Sequence, residues 1–402
     1  MKKKLIAAIM AVTMVASLVG CGGAPAASTE QATAPAAEAA DDGAADTASS
    51  DTAEASDMKV AMVTDYGDIT DQSFNQSTYE ACKAFAEANG IEFTYYKPEG
   101  DSTADRVAMI DKAVADGYNV VVMPGYAFAG AIVESAPMYP DVKFVALDVS
   151  EFDLTSEAGT DSYSEPNVFS AIYQEELAGY MAGFAAVKMG YTKLGFLGGM
   201  AVPAVIRYGY GFVQGADAAA AEDGADVTVN YAYGNQFYGD ADITAAMDTW
   251  YQGGTEVVFA CGGGIYTSAA EAAAKVDGKV IGVDVDQAAT IDGQYGDGMT
   301  ITSAMKGLGA TVNTLLTAIK DGDWGDFSGK IINLGIIDKD NPENNYVQLP
   351  MDSTVWTDNF TVDDYKAIVA GMADGSISVS NDTSAEEPSA TTVTVNFQGN
   401  IK

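Results

Sequence analysis

Histidine is absent from all 402 residues. That single absence removes Ser-His-Asp and Cys-His triads, the HExxH zinc site and imidazole acid-base chemistry together. Cysteine is nearly absent too. Cys21, Cys82 and Cys261 lie far apart with no CxxC spacing, which argues against a disulfide framework and leaves at most one Cys82–Cys261 bridge open. Positive charge is scarce, with 20 Lys and Arg against 57 Asp and Glu. The resulting net charge of −37 argues against nucleic acid or an anionic lipid surface as partner. Phosphate-binding glycine motifs are missing as well. The turn after Thr64 lacks GxGxxG, and Gly262-Gly263-Gly264 is not followed by Lys-[Ser/Thr], so nucleotide hydrolysis and dinucleotide binding are poor readings.

One apolar run is present, and it stands at the N-terminus. Lys2, Lys3 and Lys4 precede Leu5–Val19, fifteen residues interrupted only by Thr13 and Ser17. A spanning helix needs roughly 20 such residues, so the run reads as a secretory signal. Leu18-Val19-Gly20-Cys21 resembles the bacterial lipobox, which is cut before the cysteine and lipidated on its thiol. Residues 1–21 are therefore expected to be a lipoprotein signal, with Cys21 anchoring the mature chain to the outer face of a membrane. Residues 22–57 hold eight acidic residues and no basic or aromatic ones, a composition expected to form a disordered tether.

From Met58 onward, β-rich and helical runs alternate: Lys59–Thr64, Gln76–Asn89, Ile91–Tyr96, Ala104–Asp116, Asn119–Met123 and Val142–Leu147. This is the pattern of βαβ units and a parallel sheet. Val107, Ile110 and Val114 recur at helical spacing and predict one buried stripe. The second half repeats the plan, with a long helical run at Ser170–Met189 and strands near Leu194–Leu197, Asp226–Tyr231, Glu256–Ala260, Val280–Val283 and Lys330–Ile337. The expected fold is α/β with two similar βα lobes. Residues 58–165 plus 290–325 are assigned to the first lobe, and 166–289 plus 326–380 to the second. The tail, 381–402, is polar at first and then alternates Val393, Val395 and Phe397, leaving an added edge strand or a loose end as alternatives.

The candidate site residues lie where strands end. In parallel α/β sheets the carboxyl ends of strands line the ligand crevice. Asp65, Asp148, Asp284 and the Gly262–Gly264 run fall there, and they would bring acceptors and exposed backbone N–H groups from both lobes to one cleft. Each aspartate taken alone reads equally as a helix cap or turn residue. Asp71, Phe74 and Asn75 open the first helix, placing a flat ring and an amide at the crevice lip, although Phe74 could equally be a packed helix-start residue. Phe237 is the candidate for the opposite face, and Lys306 is a lone cation among these acids. The acids lack the dense oxygen spacing of a calcium loop, so no metal is assigned.

The run Asp65-Tyr66-Gly67-Asp68-Ile69-Thr70-Asp71-Gln72-Ser73-Phe74-Asn75-Gln76 resembles the opening motif of the basic membrane protein family, the nucleoside-binding lipoproteins of ABC transporters. Tyr173–Gly179, Gly195–Met200, Pro203–Gly215, Gly262–Gly264 and Ile281–Gln287 agree with it in order and spacing. The resemblance implies a type I periplasmic-binding fold with lobes joined by three crossings, no enzymatic activity and no cofactor. It implies a purine nucleoside as ligand and an ABC permease as partner. It also implies that Phe74 and Phe237 sandwich the base while Asp148, Asp71, Asn75 and Asp65 read its edge, and that Asp284, Lys306 and the Gly262–Gly263 backbone hold the ribose. Asp68 departs from the family, which usually has a second glycine there. Alternatives from the residues alone are a sugar or autoinducer receptor with a sensory role, and a nucleoside hydrolase using the aspartates.

Overall fold

The computed structural model describes residues 57–65 and 67–401. The expected signal, Cys21 and nearly all of the tether lie outside the described residues. The elements run in chain order as β1 (Lys59–Val63), α1 (Phe74–Asn89), β2 (Glu92–Tyr96), α2 (Thr103–Ala115), β3 (Val120–Pro124), α3 (Ala129–Ser135), β4 (Lys143–Leu147), α4 (Glu151–Ala158), β5 (Val168–Tyr173) and α5 (Glu175–Lys188). They continue with β6 (Lys193–Gly198), α6 (Pro203–Asp223), β7 (Thr228–Tyr233), α7 (Ala241–Gln252), β8 (Val257–Cys261), α8 (Tyr266–Ala274), β9 (Lys279–Asp284), α9 (Ala288–Tyr295) and β10 (Thr300–Lys306). The last are α10 (Leu308–Asp321), β11 (Lys330–Leu334), β12 (Val347–Gln348), α11 (Val362–Asp374) and β13 (Thr394–Asn400).

These strands form two sheets, ordered β2-β1-β3-β4-β5-β11 and β13-β7-β6-β8-β9-β10-β12. All pairs are parallel except β10 with β12. The order β7-β6-β8-β9-β10 repeats β2-β1-β3-β4-β5, so each lobe reverses strand order beside its first strand, where a ligand crevice opens at the carboxyl ends. The central strands are buried on both faces, as β3 and β8 illustrate throughout their lengths, which is why they read as continuous apolar runs. Of the predicted stripe on α2, Ile110 is buried, while Val107 and Val114 pack half-buried on the same core.

Two sequence expectations are corrected. The run read as one helix from Ser170 splits into β5 and then α5, because Val168-Phe169 and Ile172-Tyr173 fill the slot between β4 and β11. Segments are also shared out between the sheets differently from the expected lobe boundaries. β5 and β11 complete the first sheet, and β10 belongs to the second. The reason is the repeat itself: each lobe takes five successive strands before the chain leaves it. The chain therefore changes sheets after β5, after β10 and after β11. These crossings are tied together by Gln174 N–H donating to Leu334 O, Gly307 N–H to Tyr346 O and Tyr346 N–H to Gly335 O.

The tail resolves as β13, a parallel edge strand beside β7. Asp217 on α6 fixes its start by accepting hydrogen bonds from the N–H groups of Thr391, Thr392 and Val393 and from the Thr391 hydroxyl. Cys82 and Cys261 are both buried and free, so the bridge left open is not made. No helix among the described residues is long and apolar enough to cross a membrane.

Candidate functional site: a cleft between the lobes

A cavity of about 500 Å³ opens between the carboxyl ends of the two sheets. Asp65, Asp71, Phe74, Asn75, Asp148, Phe237, Gly262, Gly263, Asp284 and Lys306 all line it, so every ligand-site residue expected from sequence is brought to one place. Asp148 directly follows β4 and Asp284 ends β9, and both adopt left-handed backbone with φ of 62° and 64°. Aspartate is among the few non-glycine residues that tolerate this region, and such strain clusters at functional sites. The turn at each position aims the carboxylate away from its sheet and into the cleft.

Lys306 is the centre of the charge arrangement. Its ammonium lies 2.6 Å from Asp148 Oδ2, 3.1 Å from Glu175 Oε1 and 3.9 Å from Asp284 Oδ1, and the side chain is 2% exposed. It also stands 5.0 Å from the centroid of the Phe74 ring. Burial works against its charge, but the three carboxylates outweigh that and hold its pKa above the ordinary lysine value. Burial pushes the Asp148 carboxyl up to about 7, Lys306 opposing and Glu175 adding to the rise. Burial likewise raises Asp284, whose Oδ2 accepts a 2.6 Å hydrogen bond from the Ser73 hydroxyl of the other lobe.

Two buried acceptors in this cleft have no protein partner: Asp148 Oδ1 and Asn75 Oδ1. Each such atom is costly while no donor reaches it. Asp71 differs from the expectation that it reads a base edge. Its oxygens accept from the backbone N–H groups of Ser73, Asn75 and Gln76 and from Asn75 Nδ2, which uses a carboxylate's acceptor capacity to cap α1. Asp71 thus shapes the lip and fixes the Asn75 amide. Gly262 likewise has a packing role: at φ 147°, an added Cβ would lie 2.9 Å from the Phe237 ring, so glycine there seats that ring. Asp68, the departure from the family pattern, closes a local turn onto Thr70 and pairs with Lys97 at 3.0 Å on the cleft rim.

Sequence reasoning missed Tyr126, Ser150 and Arg207, which also line the cavity, and Glu175, which stands behind its wall. Signals were present: Arg207 is the one basic residue in α6, and Glu175 and Glu176 head a helix whose residues from Ala178 to Val187 are all buried. Beyond the cavity, Gln287 Nε2 donates to Gln72 O and the Thr290 hydroxyl to Gln72 Oε1, joining the first-lobe loop to α9 of the second lobe.

Two parallel-sheet lobes joined by three crossings around a polar, aromatic-lined cleft define a type I solute-binding protein. The chain belongs to the Bmp family, described as ABC transporter substrate-binding protein PnrA-like, whose family model matches residues 58–346. It is 29% identical over 342 residues to the ABC transporter nucleoside-binding protein BmpA of Lactococcus lactis, a match covering 81% of this chain and 87% of that protein. It is 31% identical over 285 residues to the CD4+ T-cell-stimulating antigen of Listeria monocytogenes, covering 67% and 76% respectively. An ABC transporter solute-binding protein from Aeropyrum pernix shares the fold, with a TM-score of 0.61 at 22% identity over 81% of this chain and 88% of that one.

Proposed function

We propose that the cleft captures one purine nucleoside, that the protein is held by a lipid on Cys21 at the extracytoplasmic face of a membrane, and that it hands its cargo to an ABC permease. The observation that carries this reading is the meeting, in one cavity, of Phe74 and Phe237 from opposite lobes with the unpartnered acceptors Asp148 Oδ1 and Asn75 Oδ1. A flat base fits between rings, and aromatic stacking contributes about 1–3 kcal/mol per base in single-strand binders. Base N–H groups supply the donors those acceptors need, and Asp284 with Lys306 suits ribose hydroxyls. The name of the Lactococcus relative, a nucleoside-binding protein, supports the ligand class. Six aspartates line the cavity against two lysines and one arginine, an imbalance of −3 (3 − 6) that disfavours a phosphorylated ligand.

A hydrolase reading has less support. The position among Asp148, Glu175 and Asp284 where a catalytic cation would sit is taken by the Lys306 ammonium. A sugar alone makes less use of two flat rings than a planar base does. Native mass spectrometry of the protein isolated from cells tests the proposal: a purine-nucleoside adduct is expected on the unmodified chain and none on the Phe74→Ala/Phe237→Ala variant. An adduct of another class, or an equal nucleoside adduct on that variant, contradicts it.

A further inference from the structure

We propose that Glu175 is the positioning residue of this site, a buried anion on the first lobe-to-lobe crossing that holds Lys306 and Arg207 at the cavity wall. Its carboxylate is 0% exposed and heads α5 directly after Gln174, whose N–H is bound to Leu334 O of the third crossing. Oε2 accepts from Arg207 Nε at 2.6 Å, and Oε1 lies 3.1 Å from Lys306 Nζ at the second crossing. One carboxylate thereby bridges two crossings and α6. The scaffold behind it is tightly packed: a Cβ on Gly179 would come within 2.1 Å of Tyr208 O, and one on Gly211 within 2.1 Å of Glu176 O. With α5 and α6 this close, Glu175 and Arg207 have little freedom to separate.

The ligand-facing groups depend on this anion. Lys306 presents its charge to Asp148 and Asp284, which the proposed function assigns to the ligand, while Glu175 itself stands behind the cavity wall. With Asp148 ionised, the three carboxylates of Asp148, Glu175 and Asp284 stand against Lys306 and Arg207, a net charge of −1. Glutamine at 175 would bring the net to zero and turn an amide N–H₂ toward one of the two cations. The charge and hydroxyl groups around Asp148 are Lys306 from β10, Glu175 from α5, Arg207 and Tyr208 from α6, Asp284 from β9 and Tyr173 from β5. Of these, the anion nearest the shared ammonium after Asp148 itself is Glu175. Its removal relieves Asp148 of a like charge, so the titration of Asp148 reports on Glu175 in a way that general loosening does not.

The inference rests on the cleft being the ligand site, and the test separates it from the choice of nucleoside. The Asp148 carboxyl is titrated by NMR in ligand-free, carboxyl-labelled protein, assigned with Asp148→Asn, and inosine and adenosine affinities are measured alongside. The expected wild-type midpoint is about 7. Glu175→Gln, folded by circular dichroism, moves that midpoint to lower pH and weakens nucleoside binding about tenfold or more. Glu175→Asp keeps the charge and the midpoint, yet loses affinity because the shorter side chain cannot reach both cations. A folded Glu175→Gln variant with wild-type midpoint or wild-type affinity overturns the proposal. If that variant does not fold, Glu175→Asp with undiminished affinity overturns it instead. A wild-type protein that binds no nucleoside refutes the nucleoside assignment, and the titration alone then decides the role of Glu175.

Discussion

At the residue scale, the function turns on which buried polar atoms are already engaged. Asp148 shares one oxygen with Lys306 and its other oxygen has no protein partner, in surroundings that push its carboxyl up to about 7. A base N–H donates more strongly to the ionised form than to the neutral acid, so binding favours ionisation and releases a proton when it starts from the protonated acid. Nucleoside affinity is therefore full above about pH 7 and falls as pH drops below it, because the raised carboxyl must first ionise. Calorimetry in buffers of different ionisation enthalpy should record that proton release, and a pH-independent affinity with no proton exchange contradicts it. Residue types at strand ends made Asp65, Asp148, Asp284 and Lys306 visible in the sequence. The same reasoning could not separate Asp148 from Asp71, since sequence does not show that four donors converge on Asp71. Arg207 and Glu175 escaped because they reach the site from helices, one turn or less inside α6 and α5, where periodicity draws attention to packing instead.

At the element scale, the tail behaves as an added strand with its own anchor. β13 lays Phe397 against Tyr231 at 5.7 Å between ring centroids, and Trp250 Nε1 donates to Gln398. Burial alone would raise the Asp217 carboxyl, but hydrogen bonds from Val393, Thr392 and Thr391 hold it below the ordinary value. A depressed folded-state pKa stabilises the fold above the unfolded value and is lost as pH falls through the folded one. Thermal melts across acidic pH should therefore show Asp217→Asn less stable than wild type near neutrality and converging with it in acid. A constant gap would contradict the anchor. Alternation at Val393, Val395 and Phe397 was legible, but whether an edge accepts a strand is a tertiary matter, and β7 with Asp217 supplies that edge. β5 was misread for a related reason. Its six residues are joined to α5 by Gln174 alone, with no Gly, Pro, Asn or Asp at the junction, so no turn signal separates the strand period from the helix period.

At the scale of the whole molecule, two lobes are held across the cleft by Ser73 to Asp284 and by Gln72 to Gln287 and Thr290. Gln72 adopts φ 57°, a left-handed conformation that this inter-lobe contact accompanies. Closure of such a protein is an equilibrium that a ligand shifts only through its preference for the closed form. Contacts made lobe to lobe bias that equilibrium before any ligand arrives. Gln72→Ala, which removes the acceptor of the Thr290 hydroxyl but leaves the carbonyl that Gln287 donates to, should enlarge the radius of gyration of the ligand-free protein in small-angle scattering, with nucleoside restoring the compact value. An unchanged radius would mean the Thr290 bond does not govern closure. The two-lobe repeat and the ten expected lining residues were legible from alternating βα patterns, strand-end residues, the opening of the first helix and the family resemblance, whereas the strand order was not. The lobe boundaries were not, because crossings are set by which sheet a strand completes.

The most direct measurement is isothermal titration of the mature chain, lacking residues 1–21 and stripped of carried-over ligand, with inosine, adenosine, guanosine, cytidine, uridine, ribose and inosine 5′-monophosphate. The account predicts one site that takes purine nucleosides most tightly, with no response to ribose and strongly weakened binding of the monophosphate. Tight ribose binding, equal affinity for the monophosphate, or no heat from any nucleoside with the folded protein would contradict it.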